Sequence, residues 1–326
     1  MSPLVINVSV ADINKPVVAV TLSGLLSIIE PIAGDDVEVV SLLPSGTEAH
    51  YYTLQPDIVQ KALAADLIVC TGHIPWELEL AEKVADEKGL EVSDVVLDLL
   101  HDVDVTLLKE PGTDQPNIHA FWLLPENAKK VALAVAERLA VIDPDDSQTF
   151  LRRAETFSKK VDALQKESMV RMKKAGLLDS KVVVAFYAEQ YLAKAMGLRP
   201  EFILMREGGL SPIVLEQVRE GLLNGTLKAI IYSEIAEGFP QVLGQIRALS
   251  EEVGVPTYKV QVFSIGEVHD YLALLSYDIG ILTSISNRIG NSSFSGFYLY
   301  LSALLAVLVA MEFIIIIFLY RRLSER

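Results

Sequence analysis

The chain of 326 residues has one cysteine, Cys70, so it can form no internal disulfide and no Cys-based zinc cluster. Positive charge is scarce: 28 Lys and Arg stand against 43 Asp and Glu, a formal net charge of −15. An acidic surface argues against a nucleic-acid partner, because phosphate binding needs clustered Lys and Arg. There is no His-rich tract, no Gly-rich phosphate loop, no Gly-x-Ser-x-Gly elbow and no His-Glu-x-x-His pair. The opening MSPLVINVSVADINKP lacks a basic region followed by a continuous apolar run. The expectation is that the natural precursor starts earlier or that export depends on the C-terminal tail.

What is abundant is apolar: 51% of residues are hydrophobic and the mean hydropathy is +0.36. Part of that excess lies in Phe297 to Tyr320, an almost unbroken apolar stretch interrupted by Ser302 and Glu312. It exceeds the ~20 residues that cross a bilayer. Arg321, Arg322 and Arg326 follow, which puts the C-terminus in the cytoplasm and the rest of the chain outside. Tyr298, Tyr300 and Tyr320 stand where interfacial aromatics belong. Three Asn-x-Ser/Thr triplets, starting at Asn7, Asn224 and Asn291, carry little weight in a chain of this length.

Before the tail, short apolar runs alternate with helical periodicity, the pattern of parallel sheets flanked by helices. Strands are expected at Val17 to Thr21, Val37 to Leu42, Leu67 to Cys70 and Val95 to Leu100. Helices are expected over Leu22 to Glu30, stopping before Pro31, over Gln55 to Ala65, and over Trp76 to Lys88, ended by Gly89. A loop marked by Pro111, Gly112 and Pro116 leads to a helix from Pro125 to about Val141. Phe150 to Lys174 is a charged amphipathic segment without Gly or Pro, long enough to connect two domains. Alternation then resumes, with strands at Lys181 to Tyr187, Phe202 to Met205, Ala229 to Ser233 and Thr257 to Phe263. The intervening helices are Glu189 to Met196, one after the Gly208 to Pro212 turn, Gln241 to Val253, and Asp270 to about Thr283. The fold class is therefore α/β: two parallel-sheet lobes (1–142 and 179–290), a long linker helix within 143–178, and one C-terminal transmembrane helix (296–320).

The stretch Leu42 to His73 places His50 beyond a strand, at the sheet edge where open α/β folds bind ligands. Its residues Pro44-x-Gly46-x-Glu48-Ala49-His50-x-Tyr52, then Pro56 and Ala64-Ala65-Asp66-Leu67-Ile68 with Gly72, resemble the signature of the zinc/manganese solute-binding proteins of ABC importers. The resemblance covers Lys15 to Thr283 and extends to the linker helix. It implies that His50 is a metal ligand. It implies the same for His119, in Asn117-Ile118-His119-Ala120-Phe121-Trp122-Leu123-Leu124-Pro125. That run departs from the family pattern by one extra residue before Trp122 and by Leu124 in place of an Asp.

The second lobe departs further. The family's third ligand position falls on Phe186, and its fourth on Phe263 or Ser264. Glu189, Glu267 and His269 are the nearby groups able to substitute, although Glu189 also suits a first-turn helix acid. Glu234 matches a family Glu that is not normally a primary ligand. Either rearranged acids complete the site, or metal binds weakly, or Phe186, Tyr187 and Phe263 form an aromatic wall for another solute. His101-Asp102-Val103-Asp104 is read as a solvated loop.

The resemblance implies no enzyme. It implies a membrane-anchored, extracellular receptor that binds a divalent ion, zinc or manganese, between two lobes and presents it to an ABC transporter permease. The alternative is a surface binding or adhesion module that keeps the fold without metal transport. A metal-dependent hydrolase ranks third, since no general base stands beside the His pair.

Overall fold

The computed structural model describes residues 15–43, 49–266 and 268–289. The first sheet is built from β1 (Val17–Val20), β2 (Glu38–Ser41), β3 (Leu67–Cys70) and β4 (Val96–Asp98). Between and after these strands come α1 (Leu26–Ala33), α2 (Pro56–Leu63), α3 (Pro75–Lys88), the single turn α4 (Val92–Val95) and α5 (Pro125–Ile142). The strands are parallel in the order β2-β1-β3-β4, with Val18 opposite both Val39 and Leu67. β3 is buried at every position, as expected of a strand covered by helices on both faces.

Then comes α6 (Ser147–Lys174), 28 residues or about 42 Å of helix. It buries Phe150, Ala154, Phe157 and Val161 along one stripe. Arg153 on the same helix donates to the Ala33 carbonyl at 2.8 Å and pairs with Asp36 at 2.7 Å, closing the C-terminal end of α1.

The second sheet has β5 (Lys181–Val184), β6 (Arg199–Ile203), β9 (Ile230–Ser233) and β10 (Thr257–Val260), parallel in the order β10-β9-β5-β6. A small antiparallel pair, β7 (Met205–Arg206) with β8 (Gly209–Leu210), projects after β6. Helices α7 (Tyr187–Ala195), α8 (Pro212–Leu223), α9 (Pro240–Val253) and α10 (Tyr271–Ile289) complete this lobe. The transmembrane span expected over 296–320 lies outside the described residues.

Several boundaries differ from those expected. The helix expected to stop before Pro31 runs through it to Ala33. Pro31 removes one hydrogen bond, but Ile32 and Ala33 beyond it are fully buried and hold the turn in place. The strand expected from Val95 begins at Val96, because Glu91 and Asp94 cap a helical turn just before it. In the second lobe the strand expected at Phe202 begins at Arg199 and includes Pro200. It is an edge strand, the place where a residue lacking an N–H is tolerated, and its register shifts beside Pro200.

The lobes are stitched together near the sheet edges. Buried Asn117 donates from Nδ2 to the Tyr187 carbonyl at 2.9 Å and to Gln190 Oε1 at 2.8 Å. Gln190 donates to the Lys109 carbonyl at 2.7 Å, and Tyr191 accepts from Leu108 N–H at 3.0 Å. Tyr271 donates to the Leu123 carbonyl at 2.8 Å. These bonds seat the N-terminus of α7 against the loop that carries His119.

Candidate metal centre

Three loops at the carboxyl edge of the first sheet each deliver one histidine. His50 sits in a 3-10 turn, Ala49–Tyr51, between β2 and α2. The Trp76 indole donates to the Ala49 carbonyl at 3.0 Å, and Tyr52 packs edge-on against the same ring. His119 lies in the loop before α5; its backbone N–H donates to Asn117 Oδ1 at 2.9 Å. Ala120 then takes the left-handed φ of 52°, and Phe121, Trp122 and Leu123 turn inward to full burial. His73 follows β3 by way of Gly72, whose φ is 87°. A Cβ on Gly72 would lie 1.9 Å from Asp98 Oδ1, so both space and backbone demand glycine there.

The three rings converge. Centroids are 5.1 Å apart for His50 and His119, 5.6 Å for His50 and His73, and 5.2 Å for His73 and His119. One ring nitrogen from each lies within 4.8 Å of the other two. The expected pair, His50 and His119, is thus brought together, and His73 joins it as a member that the sequence reading left out. Its signal was present: Thr71-Gly72-His73 ends a buried parallel strand, and parallel strands bring their carboxyl ends to one edge. Among the described residues no Asp, Glu or Cys joins the group.

Behind His73 stands Glu77, in the first turn of α3 and 1% exposed. Its Oε1 accepts from the Thr21 hydroxyl and from Thr71 N–H at 3.0 Å. Its Oε2 accepts from the Thr71 hydroxyl at 2.6 Å and from Gly72 N–H at 3.1 Å. Thr71 thereby spends its one proton on Glu77. Its oxygen must then accept from His73 Nδ1–H, 3.0 Å away, which leaves Nε2 with a free lone pair. A carboxylate acting through a hydroxyl to set a histidine tautomer is the kind of support that metal-binding imidazoles use.

Burial and mutual repulsion keep the His73 and His119 rings uncharged. Burial first, then the charges of His119 and His50, push His73 down to about 3. Burial first, then His50, pushes His119 down to about 4. Neutral imidazole is the form that binds metal. Nδ1 of His119 is buried and has no hydrogen-bond partner in the protein. A polar atom left unpaired in that way suits a site that holds a cation.

The second lobe offers aromatic surface and acids bound elsewhere. Tyr187 stacks on His119 at 4.5 Å, with planes 13° apart. Phe186, at the family's third ligand position, packs against Phe239. Glu189 is fully buried and accepts from Phe186 N–H at 2.9 Å, Ser233 N–H at 2.9 Å and Ser233 Oγ at 2.6 Å. It ties the ends of β5 and β9 together, and burial pushes its carboxyl up to about 7. Glu234 accepts from the backbone of Val262 and Phe263 and likewise holds β10 in place. Phe263 reaches toward Gly24, between β1 and α1, where Trp122 also packs. His269 lies by Glu30 on α1, outside the histidine group, and Glu267 is outside the described residues. His101 pairs with Asp98 at 2.9 Å in an exposed turn, as a solvated loop would.

A family model described as zinc-uptake complex component A, periplasmic, matches residues 18–284. The manganese ABC transporter substrate-binding lipoprotein PsaA of Streptococcus mitis is 26% identical over 262 residues, spanning 77% of this chain and 81% of that protein. FpvC from Pseudomonas aeruginosa, solved in complex with Mn2+, aligns with a TM-score of 0.66 and 22% identity, over 84% of this chain and 99% of that one. A mutant laminin-binding adhesin, Lmb, from Streptococcus agalactiae aligns with a TM-score of 0.68 and 21% identity, over 83% of this chain and 98% of that one. At such identities the two solved structures speak for the fold.

Proposed function

The chain belongs to the family of zinc-uptake complex component A periplasmic proteins, and from that premise we propose that it is the substrate-binding receptor of an ABC importer for a divalent transition metal. Zinc or manganese is held on His50, His73 and His119. The observation that carries this reading is the convergence of three imidazoles from three separate loops, with one nitrogen of each within 4.8 Å of the others. Imidazole nitrogens bind zinc at ~2.0–2.1 Å, so three of them around one ion need only small rotamer adjustments from that spacing.

In this reading the receptor binds and presents its cargo, and no bond in a substrate is made or broken. The lobes are extracellular, the permease is the partner, and the apolar run from Phe297 to Tyr320 is a single-pass anchor with Arg321 on the cytoplasmic side. Anchoring keeps the receptor near its permease and raises the effective concentration of one for the other. Residues 143–178 serve as the linker between lobes 1–142 and 179–290.

Calorimetry with Zn2+ and Mn2+ on the full chain in detergent tests the site. One ion should bind per chain, and the double change His50→Ala with His119→Ala should abolish binding. Tight binding that survives the double change would move the site elsewhere, with the His101 to Asp104 loop the first place to look.

A further inference from the structure

Two of the imidazoles are aimed in different ways. His73 is held through Nδ1 by the Thr71 hydroxyl. His119 is held by a ring face: the Tyr187 side chain lies almost parallel to it, with planes 13° apart and centroids 4.5 Å apart. A histidine ring turns about a broad, roughly two-fold torsion, so a neighbour must choose the plane in which its lone pair points. Here that neighbour comes from the second lobe, as the first residue of α7.

The stack is pinned on both sides. Asn117 is fully buried and joins the two backbones: its Oδ1 accepts from His119 N–H at 2.9 Å, and its Nδ2 donates to the Tyr187 carbonyl at 2.9 Å. At the far end the Tyr187 hydroxyl stands by the backbone of Glu207, in the turn between β7 and β8. Arg206 of that hairpin donates to Glu110 Oε2 at 3.0 Å and to the Pro111 carbonyl, in the loop that leads to His119. The hairpin, the loop and the two rings therefore form one connected unit.

We infer that Tyr187 is a positioning residue of the metal centre, whose ring fixes the plane of His119 and attracts that imidazole more strongly once an ion is bound to it. The inference rests on the reading of His50, His73 and His119 as the ligands. An aromatic face is electron-rich, and a metal-bound imidazole shares the charge of its ion, so the stack is stronger in the loaded protein than in the empty one. An interaction that strengthens on loading adds to affinity. Through Tyr187 the second lobe thus contributes to metal binding with a ring face, at the place where the family pattern led to expect a ligand one residue earlier, on Phe186.

The test compares the parent with Tyr187→Phe and Tyr187→Leu, each as the full chain in detergent. Zinc affinity is read by competition against a chromophoric chelator, and ligand geometry by the visible spectrum of the Co2+-loaded protein. Tyr187→Phe keeps the ring face and should bind zinc as the parent does. Tyr187→Leu should bind roughly 10-fold more weakly, as loss of an outer partner does, and should shift the Co2+ spectrum, which lost stability alone does not move. A folded Tyr187→Leu protein with the parent's affinity and spectrum overturns the inference. So does a Tyr187→Phe protein as weak as Tyr187→Leu, which would place the effect in the hydroxyl. If Tyr187→Leu does not fold, the ultraviolet difference spectrum on zinc addition decides: the tyrosine band of the parent should shrink in Tyr187→Phe, and a band of unchanged size overturns the inference. A folded parent that takes up no zinc overturns the ligand assignment itself. That failure is read in the parent and the others in the variants, so the two are distinguishable.

Discussion

Replacing Thr71 by Val removes one oxygen and keeps the shape of the side chain. That oxygen gives its proton to Glu77 Oε2 at 2.6 Å and stands 3.0 Å from His73 Nδ1. Without it, His73 has no partner fixing its Nδ1–H tautomer, and the lone pair on Nε2 is no longer guaranteed. Loss of such an outer partner typically weakens metal affinity 10–100-fold, or about 1.4–2.8 kcal/mol. Glu77 keeps three of its four donors, and losing one hydrogen bond to a charged group costs about 1.5–3 kcal/mol of stability. The assay is zinc competition against a chromophoric chelator on the full chain, alongside thermal melting of the metal-free protein. Thr71→Val should weaken zinc 10-fold or more, Thr71→Ser should restore it, and His73→Gln should weaken it at least as much as Thr71→Val. A folded Thr71→Val protein with zinc affinity within threefold of the parent would refute the tautomer argument. An unchanged affinity in His73→Gln would remove His73 from the site.

Glu189→Ala should lower stability by about 3 kcal/mol or more, since it strands three buried donors at roughly 1–3 kcal/mol each, yet leave zinc affinity unchanged. Lost metal binding without lost stability would contradict its role as a tie between β5 and β9. The depressed values of His73 and His119 mean that the folded state resists protons which the unfolded chain accepts below about 6.5. Their contribution to stability is therefore complete above that pH and is lost as pH falls toward 4 and then 3. Urea midpoints of the metal-free parent should drop relative to a His73→Gln, His119→Gln double variant over that window; a gap independent of pH would show that the rings are not held neutral. Removal of residues after Ser295 should release the protein from membranes in a carbonate wash, and retention would argue against the C-terminal anchor.

Much of the centre was legible because its chemistry is tied to local motifs. His50 stands in the Pro44 to Tyr52 run and His119 just ahead of Phe121, Trp122 and the Pro125 helix start, so each could be named from its neighbours. The vacancy at Phe186 was equally plain, since a phenyl ring cannot bind a metal. Glu189 was harder. Its place three residues after Phe186 is compatible with an inward ligand or a helix cap, and only the positions of Ser233 and Phe186 N–H decide for the tie. His73 has a strand end and Gly72 before it, which put it at the sheet edge but do not by themselves mark it as a partner of residues 23 and 46 positions away.

The sequence by itself determined the alternation of strands and helices, the parallel pairing that alternation demands, and the two loops bearing His50 and His119. These follow from burial periodicity, β-branched content and turn residues, which act over a few neighbours. Only the tertiary structure decided that the carboxyl end of β3 meets the turn after β2 and the loop before α5, making His73 the third ring. Strand order settles that meeting, with β1 seated between β2 and β3, and strand order is fixed by hydrogen bonds and packing between distant segments. The charge state of the rings belongs to the same level. His73 and His119 are neutral because the assembled protein strips water from them and would set like charges side by side if they were protonated, and neither effect exists in the extended chain.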